Sequence, residues 1–303
     1  MSTIPAVAPT AVSSGRRQGG ADHHDKPRLQ GALVFSVVVC HLGCLAAPFT
    51  FSWSGLGVLI ALWWITGGLG ICLGYHRQLT HASYKTYRPI KYLLVTLGCL
   101  ANEGAPIAWT GTHRLHHRHA DEHDDPHSPN KGGFAWGHLL WTFFYEHAGS
   151  RRAAKDLERD WFIRTLDRWC LVPTILLSIG LFYLGGWSWL VWGVFVRTVF
   201  VLHCTWFVNS AAHTWGYRTF ETEDGSKNNW WVALLTFGEG WHNNHHAYHR
   251  SAAHGLKWWE FDPTYLTIRA MELLGLAWDV KRPPAQVLTE IGSPIARSPE
   301  VVT

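Results

Sequence analysis

Two short stretches with the same spacing of histidines constrain this chain more than any other feature. His-Arg-Leu-His-His occupies 113–117 and His-Asn-Asn-His-His occupies 242–246, in a chain with 20 histidines. In a helix, residues at i, i+3 and i+4 share one face, so each stretch presents three imidazoles together. Imidazole nitrogen suits zinc, iron, copper or nickel. The repeated spacing therefore predicts that both triplets reach two neighbouring metal ions.

Four apolar segments are long enough to cross a bilayer, which needs about 20 residues in helix. The 19 tryptophans agree with this, because tryptophan favours membrane–water boundaries. Short uncharged links join the segments in pairs, and each pair therefore reads as a helical hairpin. We predict an all-α integral membrane protein with four transmembrane helices in two hairpins and a helical cytoplasmic cap. The predicted spans are about 31–50, 53–75, 170–186 and 187–208.

The distribution of Lys and Arg predicts the orientation of these spans. Every substantial basic cluster falls outside them and on one side, so the positive-inside rule places both termini and the long polar segments in the cytoplasm. Arg197 is the one charge inside a predicted span and should face the bundle interior. The predicted divisions are a disordered tail at 1–30, a membrane domain at 31–282 with a cap at 76–169 and 209–282, and a flexible tail at 283–303.

Three further segments predict helices that lie on or near the membrane surface. Residues 90–109 are fairly apolar, but Glu103 and the Gly-Ala-Pro break that follows favour a half-buried helix over a fifth span. The aromatic segment 134–145 and the segment 263–276 predict interfacial helices.

More histidines follow the predicted spans on the same side as the triplets. His76 and His81 follow the second span, at a spacing of i, i+5 that requires the helix to end or bend between them. Asn209 and His213 follow the fourth span at i, i+4. Structural zinc closes its shell with four ligands, so this supply suits two metals with open positions better. The candidate ligands are His76, His81, His113, His116, His117, His213, His242, His245 and His246. Asn209 is too weak a ligand to join them and is expected to hold a metal-bound water.

These residues resemble a known family. The chain from about 30 to 282 resembles the membrane fatty acyl desaturases of the Δ9, stearoyl-CoA desaturase type. The matching segments are Gly-Tyr-His-Arg-Gln-Leu-Thr-His at 74–81, Thr-His-Arg-Leu-His-His-Arg-His-Ala-Asp at 112–121, Asp-Pro-His at 125–127, Asn-Ser-Ala-Ala-His at 209–213, and Gly-Glu-Gly-Trp-His-Asn-Asn-His-His at 238–246. The resemblance implies a centre of two Fe ions held by the nine histidines. It also implies an O2-dependent reaction that uses two external electrons to introduce a cis double bond. Zinc is expected to replace iron on overexpression.

Departures from the stearoyl-CoA type bear on the substrate. Where the acyl-CoA branch has Arg-Asp, this chain has Gly111 and Thr112, and where that branch has Arg-Lys, this chain has Tyr145 and Glu146. These side chains cannot pair with the phosphates of CoA. The segment 106–111 instead resembles the bacterial and cyanobacterial branch that acts on glycerolipids. We therefore expect a membrane lipid substrate, with acyl-CoA as the alternative carrier. The electron donor is expected to be a separate protein of ferredoxin or cytochrome b5 type, and no basic run indicates nucleic-acid binding.

Finer assignments follow from helical geometry and from the chemistry of ligand histidines. Trp64 lies about 18 Å down the second span from His76, at 1.5 Å per residue. It is a candidate tunnel residue with Ile60 and Trp109, although packing of Trp64 on lipid is an equal alternative. Metal-bound histidines commonly donate their second N–H to a carboxylate. Asp121 and Glu239 are therefore candidate orienting groups, and His127 is a further candidate neighbour of the ligands.

Two rival functions share parts of this pattern. A histidine-box hydroxylase or ketolase acting on a lipid, alkane or carotenoid would use the same oxidant. A non-catalytic membrane protein that binds zinc or haem is the more distant alternative. The six cysteines are expected to be reduced apolar residues, since no paired spacing suggests a metal site. His138, His203 and His254 are expected to have ordinary packing roles.

Overall fold

A computed structural model describes residues 4–5, 29–144 and 148–297. Most of the predicted tail at 1–30, together with Tyr145 and Glu146, lies outside these residues. The described chain is mostly helical. Its α-helices are α1 Gly31–Gly43, α2 Trp53–Trp63, α3 Arg88–Cys99, α4 Pro106–His119, α5 Pro129–Ala135, α6 Trp141–Phe144, α7 Ala148–Ala153, α8 Trp161–Arg168, α9 Val172–Leu190, α10 Arg197–Thr214, α11 Trp230–Leu235, α12 His242–Ala247, α13 Pro263–Leu273 and α14 Ala285–Glu290.

Segments of 3₁₀ helix and of π-helix extend several of these α-helices. The 3₁₀ segments are Cys44–Phe49, Leu157–Arg159 and Pro294–Arg297, and the π-helical segments are Trp64–Thr80, Trp136–Leu140 and Val191–Val196.

The described residues also contain four strands of two residues each, which the prediction of an all-helical chain missed. β1 (Ile4–Pro5) pairs in parallel with β3 (Phe220–Glu221). β2 (Lys85–Thr86) pairs with β4 (Ala277–Trp278) in an antiparallel arrangement. These short ladders join segments that are distant in sequence and leave the helical framework unchanged.

Two helical segments within the described ranges are long and apolar enough to cross a membrane. They are Trp53–Thr80 and Val172–Thr214, and the apolar helix Leu33–Phe49 is shorter. Both long segments contain residues of the predicted spans. Length and composition alone therefore support two crossings, fewer than the four that the sequence predicted.

The chain reverses direction inside the longer segment, at Gly186. This glycine has φ +60 and ψ −151, a left-handed backbone conformation that glycine adopts without a Cβ clash. A Cβ built at Gly193 would lie 2.7 Å from the Leu181 side chain. In a straight helix those residues would be about 18 Å apart, at 1.5 Å per residue. Residues 172–185 and 187–214 are therefore antiparallel neighbours.

The second long segment places His76 and His81 together through a wide helical turn. Trp64–Thr80 is π-helical, and the His81 N–H donates to the His76 carbonyl at 3.2 Å. The two ring centroids are 4.8 Å apart. The helix ends at Thr80, between the two histidines, as their spacing required, and its last turn is a π turn that brings residues five apart into register.

Helix α3 packs closely on this π-helical segment. Its buried side chains include Leu94, Val95 and Cys99, while its other face is exposed, as predicted for a half-buried helix. A Cβ built at Gly70 would lie 2.5 Å from the backbone carbon of Leu97. The two backbones therefore approach closely only because position 70 carries no side chain.

The C-terminal residues pack more tightly than the sequence predicted. Val287 and Leu288 of α14 are buried, in a cluster that includes Leu73 and Ile268. The predicted flexible tail at 283–303 is therefore packed against the core as far as its described residues extend.

Polar side chains within the predicted spans find partners inside the bundle. Arg197 is fully buried and donates to the carbonyls of Gly193 and Leu100, at 3.1 and 2.5 Å. His203 lies 3.2 Å from His41 and 2.9 Å from His138, each measured between ring nitrogens. Arg197 thus faces the interior, and His203 and His138 belong to a chain of hydrogen-bonded imidazoles rather than to simple apolar packing.

Replacing Gly70 with alanine should destabilise the fold, because the new methyl group would overlap the α3 backbone. Overpacking of this kind typically costs about 1–3 kcal/mol. We expect a lower midpoint of thermal unfolding in detergent micelles. The measurement is the loss of the helical circular dichroism signal on heating. Gly57→Ala is the matched control, because that glycine lies in α2 and a Cβ placed there would meet no neighbouring atom within 4 Å. Equal midpoints for both variants would contradict the close packing.

Candidate metal centre

The structure brings all nine candidate histidines together in two adjoining groups. Within each group the nitrogen atoms that could bind a metal lie within 4.8 Å of one another. The first group is His76, His81, His113, His117 and His245, and the second is His116, His213, His242 and His246. They come from the end of the π-helical segment, from α4, from the end of α10 and from α12.

Each histidine triplet is divided between the two groups. His113 and His117, one helical turn apart, belong to the first group, whereas His116 belongs to the second. The α12 triplet divides the opposite way, with His245 in the first group. Helices α4 and α12 therefore each contribute histidines to both groups.

The Nε2 atoms point inward in both groups. In the first, the Nε2 of His245 lies 2.8 Å from that of His117 and 3.2 Å from that of His76. In the second, the Nε2 atoms of His242 and His213 are 3.0 Å apart. The buried His81 Nε2 has no hydrogen-bond partner within the described residues. Converging nitrogen lone pairs of this kind form a donor set for a metal ion.

Carboxylates face the outward Nδ1 atoms of the same rings. Glu239 lies 2.8 Å from the Nδ1 of His76, and Asp121 lies 3.0 Å from that of His213. These are the two orienting carboxylates that the sequence suggested. Asp125 and Asp224 take the same positions beside His116 and His246, at 3.0 and 2.8 Å, and sequence reasoning missed both. An Nδ1–H donated to a carboxylate fixes the tautomer that leaves Nε2 free for a metal.

The three neighbours of the ligands that sequence reasoning missed differ in how far the sequence could have indicated them. Asp125 stands in the Asp-Pro-His segment at 125–127, so its place within a matching motif could have identified it. Asp224 lies in a polar loop with no spacing signal, and only the fold brings it to His246. His254 was assigned ordinary packing, but its Nδ1 lies 2.8 Å from Glu239, and its ring centroid lies 4.3 Å from that of His245.

Buried charges around Glu239 balance one another. The fully buried Arg77 donates to Glu239 at 3.1 Å and to Asp262 at 3.0 Å. Burial raises the pKa of the Glu239 carboxyl, but Arg77, His254 and His76 outweigh it and hold the pKa well below its usual range. Glu239 is therefore anionic, and it lies against the Nδ1 of His76 while Arg77 compensates part of its charge.

Burial holds most of the ligand imidazoles neutral, whereas at His116 burial is outweighed by Asp125 and the other nearby carboxylates, which raise the pKa. Burial, and then the neighbouring imidazoles, lowers the pKa of both His242 and His245 well below the ordinary value. Burial also lowers the pKa of His246 to about 4, although Asp224 opposes the shift. Only neutral imidazole offers a lone pair to a metal. The donor atoms, their protonation and their carboxylate partners thus fit two metal ions bound by nitrogen.

His127 lies beside the second group without entering it. Its ring centroid is 4.2 Å from that of His116, and its Nδ1 is 3.8 Å from Asp125. Burial and then His116 lower the pKa of His127 to about 3. His127 is therefore a neutral neighbour of a candidate ligand.

A cavity of about 270 Å³ adjoins the histidines. Near the metal centre its wall includes His113, Trp109 and Asn209. Trp109 stacks on His113 with ring centroids 5.3 Å apart. Farther along, the lining is mainly apolar and includes Leu33, Val37, Leu202 and Trp206. An extended apolar molecule could therefore lie beside the histidine groups.

Two of the suggested tunnel residues lie away from this cavity. Ile60 and Trp64 are 51% and 48% exposed, and neither belongs to its lining. Trp64 instead borders a much smaller recess with Gly68 and Phe237. Counting residues along a helix gives depth but not direction, and these side chains point outward.

The family model and three known proteins that this chain matches are all described as desaturases. The family model described as fatty acid desaturase matches residues 31–279. The chain is 50% identical over 260 residues to an sn-1 stearoyl-lipid 9-desaturase of Anabaena variabilis, covering 84% of this chain and 95% of that protein. It is 46% identical over 271 residues to an sn-2 palmitoyl-lipid 9-desaturase of Nostoc sp. (strain 36), covering 88% and 95%. It is also 44% identical over 247 residues to an acyl-CoA C20 Delta5-desaturase of Anemone leveillei, covering 80% and 79%.

Replacing Asp224 with asparagine should weaken metal binding at the second group. The carboxylate that holds the His246 ring would be lost, and such changes typically cost about 10–100-fold in metal affinity. The measurement is metal per chain by plasma mass spectrometry after dialysis against graded chelator. Asp279→Asn is the control, because Asp279 pairs with Lys85 and Lys281 instead of a ligand histidine. Equal metal retention by both variants would show that Asp224 does not support the site.

Proposed function

Because this chain belongs to the fatty acid desaturase family, we propose that it uses O2 and two external electrons to introduce a cis Δ9 double bond into the acyl chain of a membrane lipid. The single observation that carries the proposal is the contact between an apolar cavity and the histidine groups. His113 belongs to the first group and also lines that cavity. A saturated acyl chain in the cavity would therefore pass directly beside the metal-binding nitrogens.

The nine histidines are proposed to hold two iron ions. Iron with nitrogen ligands and open positions supplies the oxidant that removes hydrogen from an unactivated C–H bond. The protein's own residues fix the geometry: Asp121, Asp125, Asp224 and Glu239 orient the ligand rings. Asn209, one turn before His213 on α10, is proposed to hold a water in this centre. Trp109 stacks on His113 and bounds the cavity there.

A lipid substrate is supported by the surroundings of Gly111 and Thr112. A Cβ built at Gly111 would lie 1.8 Å from the Ser150 carbonyl oxygen, and the buried Thr112 hydroxyl lies 2.9 Å from the Ser150 hydroxyl. Helix α7 therefore covers the positions at which the acyl-CoA branch has Arg and Asp. Neither position can present a charge to the phosphates of CoA. The two 9-desaturase relatives are named for lipid-linked acyl chains, which agrees with this preference.

A four-pass topology is supported by helix directions, and the distribution of Lys and Arg supports a cytoplasmic metal centre. His76 lies near the end of one apolar segment, His213 lies near the end of another, and both histidines belong to the metal centre. Trp53–Thr80 and 187–214 therefore run toward the same face. Residues 172–185 run away from it, as the turn at Gly186 requires, and Leu33–Phe49 is proposed as the fourth crossing. The external electrons are proposed to come from a ferredoxin or a cytochrome b5 type protein on that face.

The substrate class can be tested with purified, iron-loaded protein and a reduced donor. We expect desaturation of saturated phospholipid or galactolipid in nanodiscs, and a much slower reaction with stearoyl-CoA in lipid-free detergent. Gas chromatography of methyl esters gives double-bond position, and lipase digestion gives the glycerol position. Efficient turnover of stearoyl-CoA without lipid would overturn the lipid preference. A hydroxylated or keto product would favour an oxygen-inserting enzyme instead.

Filling the cavity should block the reaction without removing the metal. Ala108 lines the cavity on α4, and Ala108→Phe should lower lipid turnover at least about tenfold, equivalent to ~1.4 kcal/mol. Metal content should stay at the wild-type level. Ile60→Phe is the control, since Ile60 points away from the cavity. The cavity assignment fails if Ile60→Phe is the more damaging change.

A further inference from the structure

Glu103 places a carboxyl group in the wall of the cavity that we assign to the acyl chain. It lies in the loop between α3 and α4, where Asn102 and Gly104 have left-handed φ values of +61 and +123. Gly104 is exposed, while Glu103 contributes to the cavity wall. The loop therefore reaches from the protein surface to the substrate space.

Two neutral donors hold the Glu103 carboxyl group in this position. The Trp109 indole N–H donates to one oxygen at 3.1 Å, and the Thr205 hydroxyl donates to the other at 2.7 Å. No ion pair within the described residues joins Glu103 to a lysine or arginine. Burial raises the pKa of Glu103 to about 7, although both hydrogen bonds oppose the shift. The group can thus carry and release a proton near neutral pH.

Helix α10 connects this carboxyl group to the metal centre. Thr205, Asn209 and His213 follow one another at intervals of four residues and share one helical face. Thr205 and Asn209 line the cavity, and His213 belongs to the second histidine group. A hydroxyl group both donates and accepts hydrogen bonds, so Thr205 can pass a proton along this face.

The proposed reaction requires protons as well as electrons. A CH2–CH2 unit, O2, two electrons from the external one-electron donor and two protons give CH=CH and two waters. Two C–H bonds and the O–O bond break, while a carbon–carbon π bond and four O–H bonds form. Two of the hydrogens in the waters come from the acyl chain, and the other two must be delivered to the centre from outside.

We propose that Glu103 is a proton donor for this reaction and delivers its proton through Thr205 toward the Asn209 end of the cavity. The inference rests on the proposed desaturase function and adds a residue with a defined task to it. A neutral carboxyl group beside an acyl chain also avoids placing an uncompensated charge in an apolar cavity.

The other titratable groups near Glu103 in the described part of the chain do not offer an equivalent donor. Cys204 on α10 and Cys72 on the Trp53–Thr80 helix are buried thiols within electrostatic range of Glu103, but neither lines the cavity. His113 and His127 share the cavity with it, and burial lowers the pKa of each. Arg197, two turns before Thr205, donates to the Leu100 carbonyl instead of pairing with Glu103.

Glu103→Gln separates proton donation from a structural role. Glutamine keeps an oxygen for the Trp109 N–H and has the same shape, so a merely structural Glu103 predicts near wild-type activity. A proton donor predicts at least about tenfold slower turnover at neutral pH, within the usual range for general acid catalysis. Glu103→Asp should recover part of the rate because it keeps the acid. Glu290→Gln on the exposed surface of α14 is the control.

The pH profile supplies a second criterion. The folded pKa is raised, so the donating acid form is present below about 7 and is lost as pH rises above it. Wild-type turnover should therefore fall above pH 7 with an alkaline limb that Glu103→Gln lacks. Infrared difference spectra of the purified protein, with no turnover, should show a protonated carboxyl band that titrates near 7 and is absent in Glu103→Gln.

The outcomes distinguish this inference from the proposed function. If the wild type makes no double bond, the proposed function fails. If the wild type is active and Glu103→Gln matches it at every pH, the proton-donor role is wrong. Should Glu103→Gln fail to fold, Thr205→Val breaks the same path, and unchanged turnover and pH profile in that variant would overturn the proposal.

Discussion

The structure depends on keeping many imidazoles neutral and inward-facing within a small buried volume. Protonated rings at these separations would repel one another, and burial adds to the cost of charging them. Carboxylates beside the outer Nδ1 atoms orient the rings: Asp125, Asp121 and Asp224 accept hydrogen bonds there, and Glu239 lies 2.8 Å from the Nδ1 of His76. The four carboxylate–histidine pairs are Glu239–His76, Asp125–His116, Asp121–His213 and Asp224–His246.

Placing carboxylates beside the ligand rings also buries negative charge. Burying an anion without compensation costs several kcal/mol. Among the described residues, Glu239 forms an ion pair with Arg77, and Arg77 also forms an ion pair with Asp262. The other three carboxylates have a histidine, and not a lysine or arginine, as their partner in these pairs. Dications at the inner nitrogens would complete the charge balance, since bound cations are commonly the largest local charges in such sites. The same feature that orients the ligands therefore also favours a divalent metal over an empty cluster.

Much of the candidate site was predictable because its strongest signals are local. Triplet spacing depends only on helical geometry, so 113–117 and 242–246 identify themselves in the sequence. The apolar segments likewise follow from composition, and Arg197 had to face inward once it lay in one of them. The structure brings His76 and His81 together at the end of their helix, as the spacing predicted, and the last turn before that end is a π turn. Their five-residue spacing is itself the signal of that turn.

The missed features are those that depend on tertiary contacts or on direction around a helix. Asp224 meets His246 across a loop, and His254 reaches Glu239 through the fold of the segment after α12, so neither contact has a sequence spacing. Trp64 has the depth expected of a tunnel residue, but depth does not determine which way a side chain points. The packing of Val287 against the core likewise depends on a surface formed by residues far earlier in the chain.

The division of each triplet between the two groups links the two sites mechanically. Helix α4 gives its i and i+4 rings to the first group and its i+3 ring to the second, whereas α12 does the reverse. A shift of either helix would therefore displace ligands of both groups at once. Ligands that share a rigid helix cannot relax independently, so an ion in one group restricts the rings that complete the other. Since Trp109 on α4 also stacks on His113 and bounds the cavity, the same rigid helix would set the position of an acyl chain bound there relative to both groups.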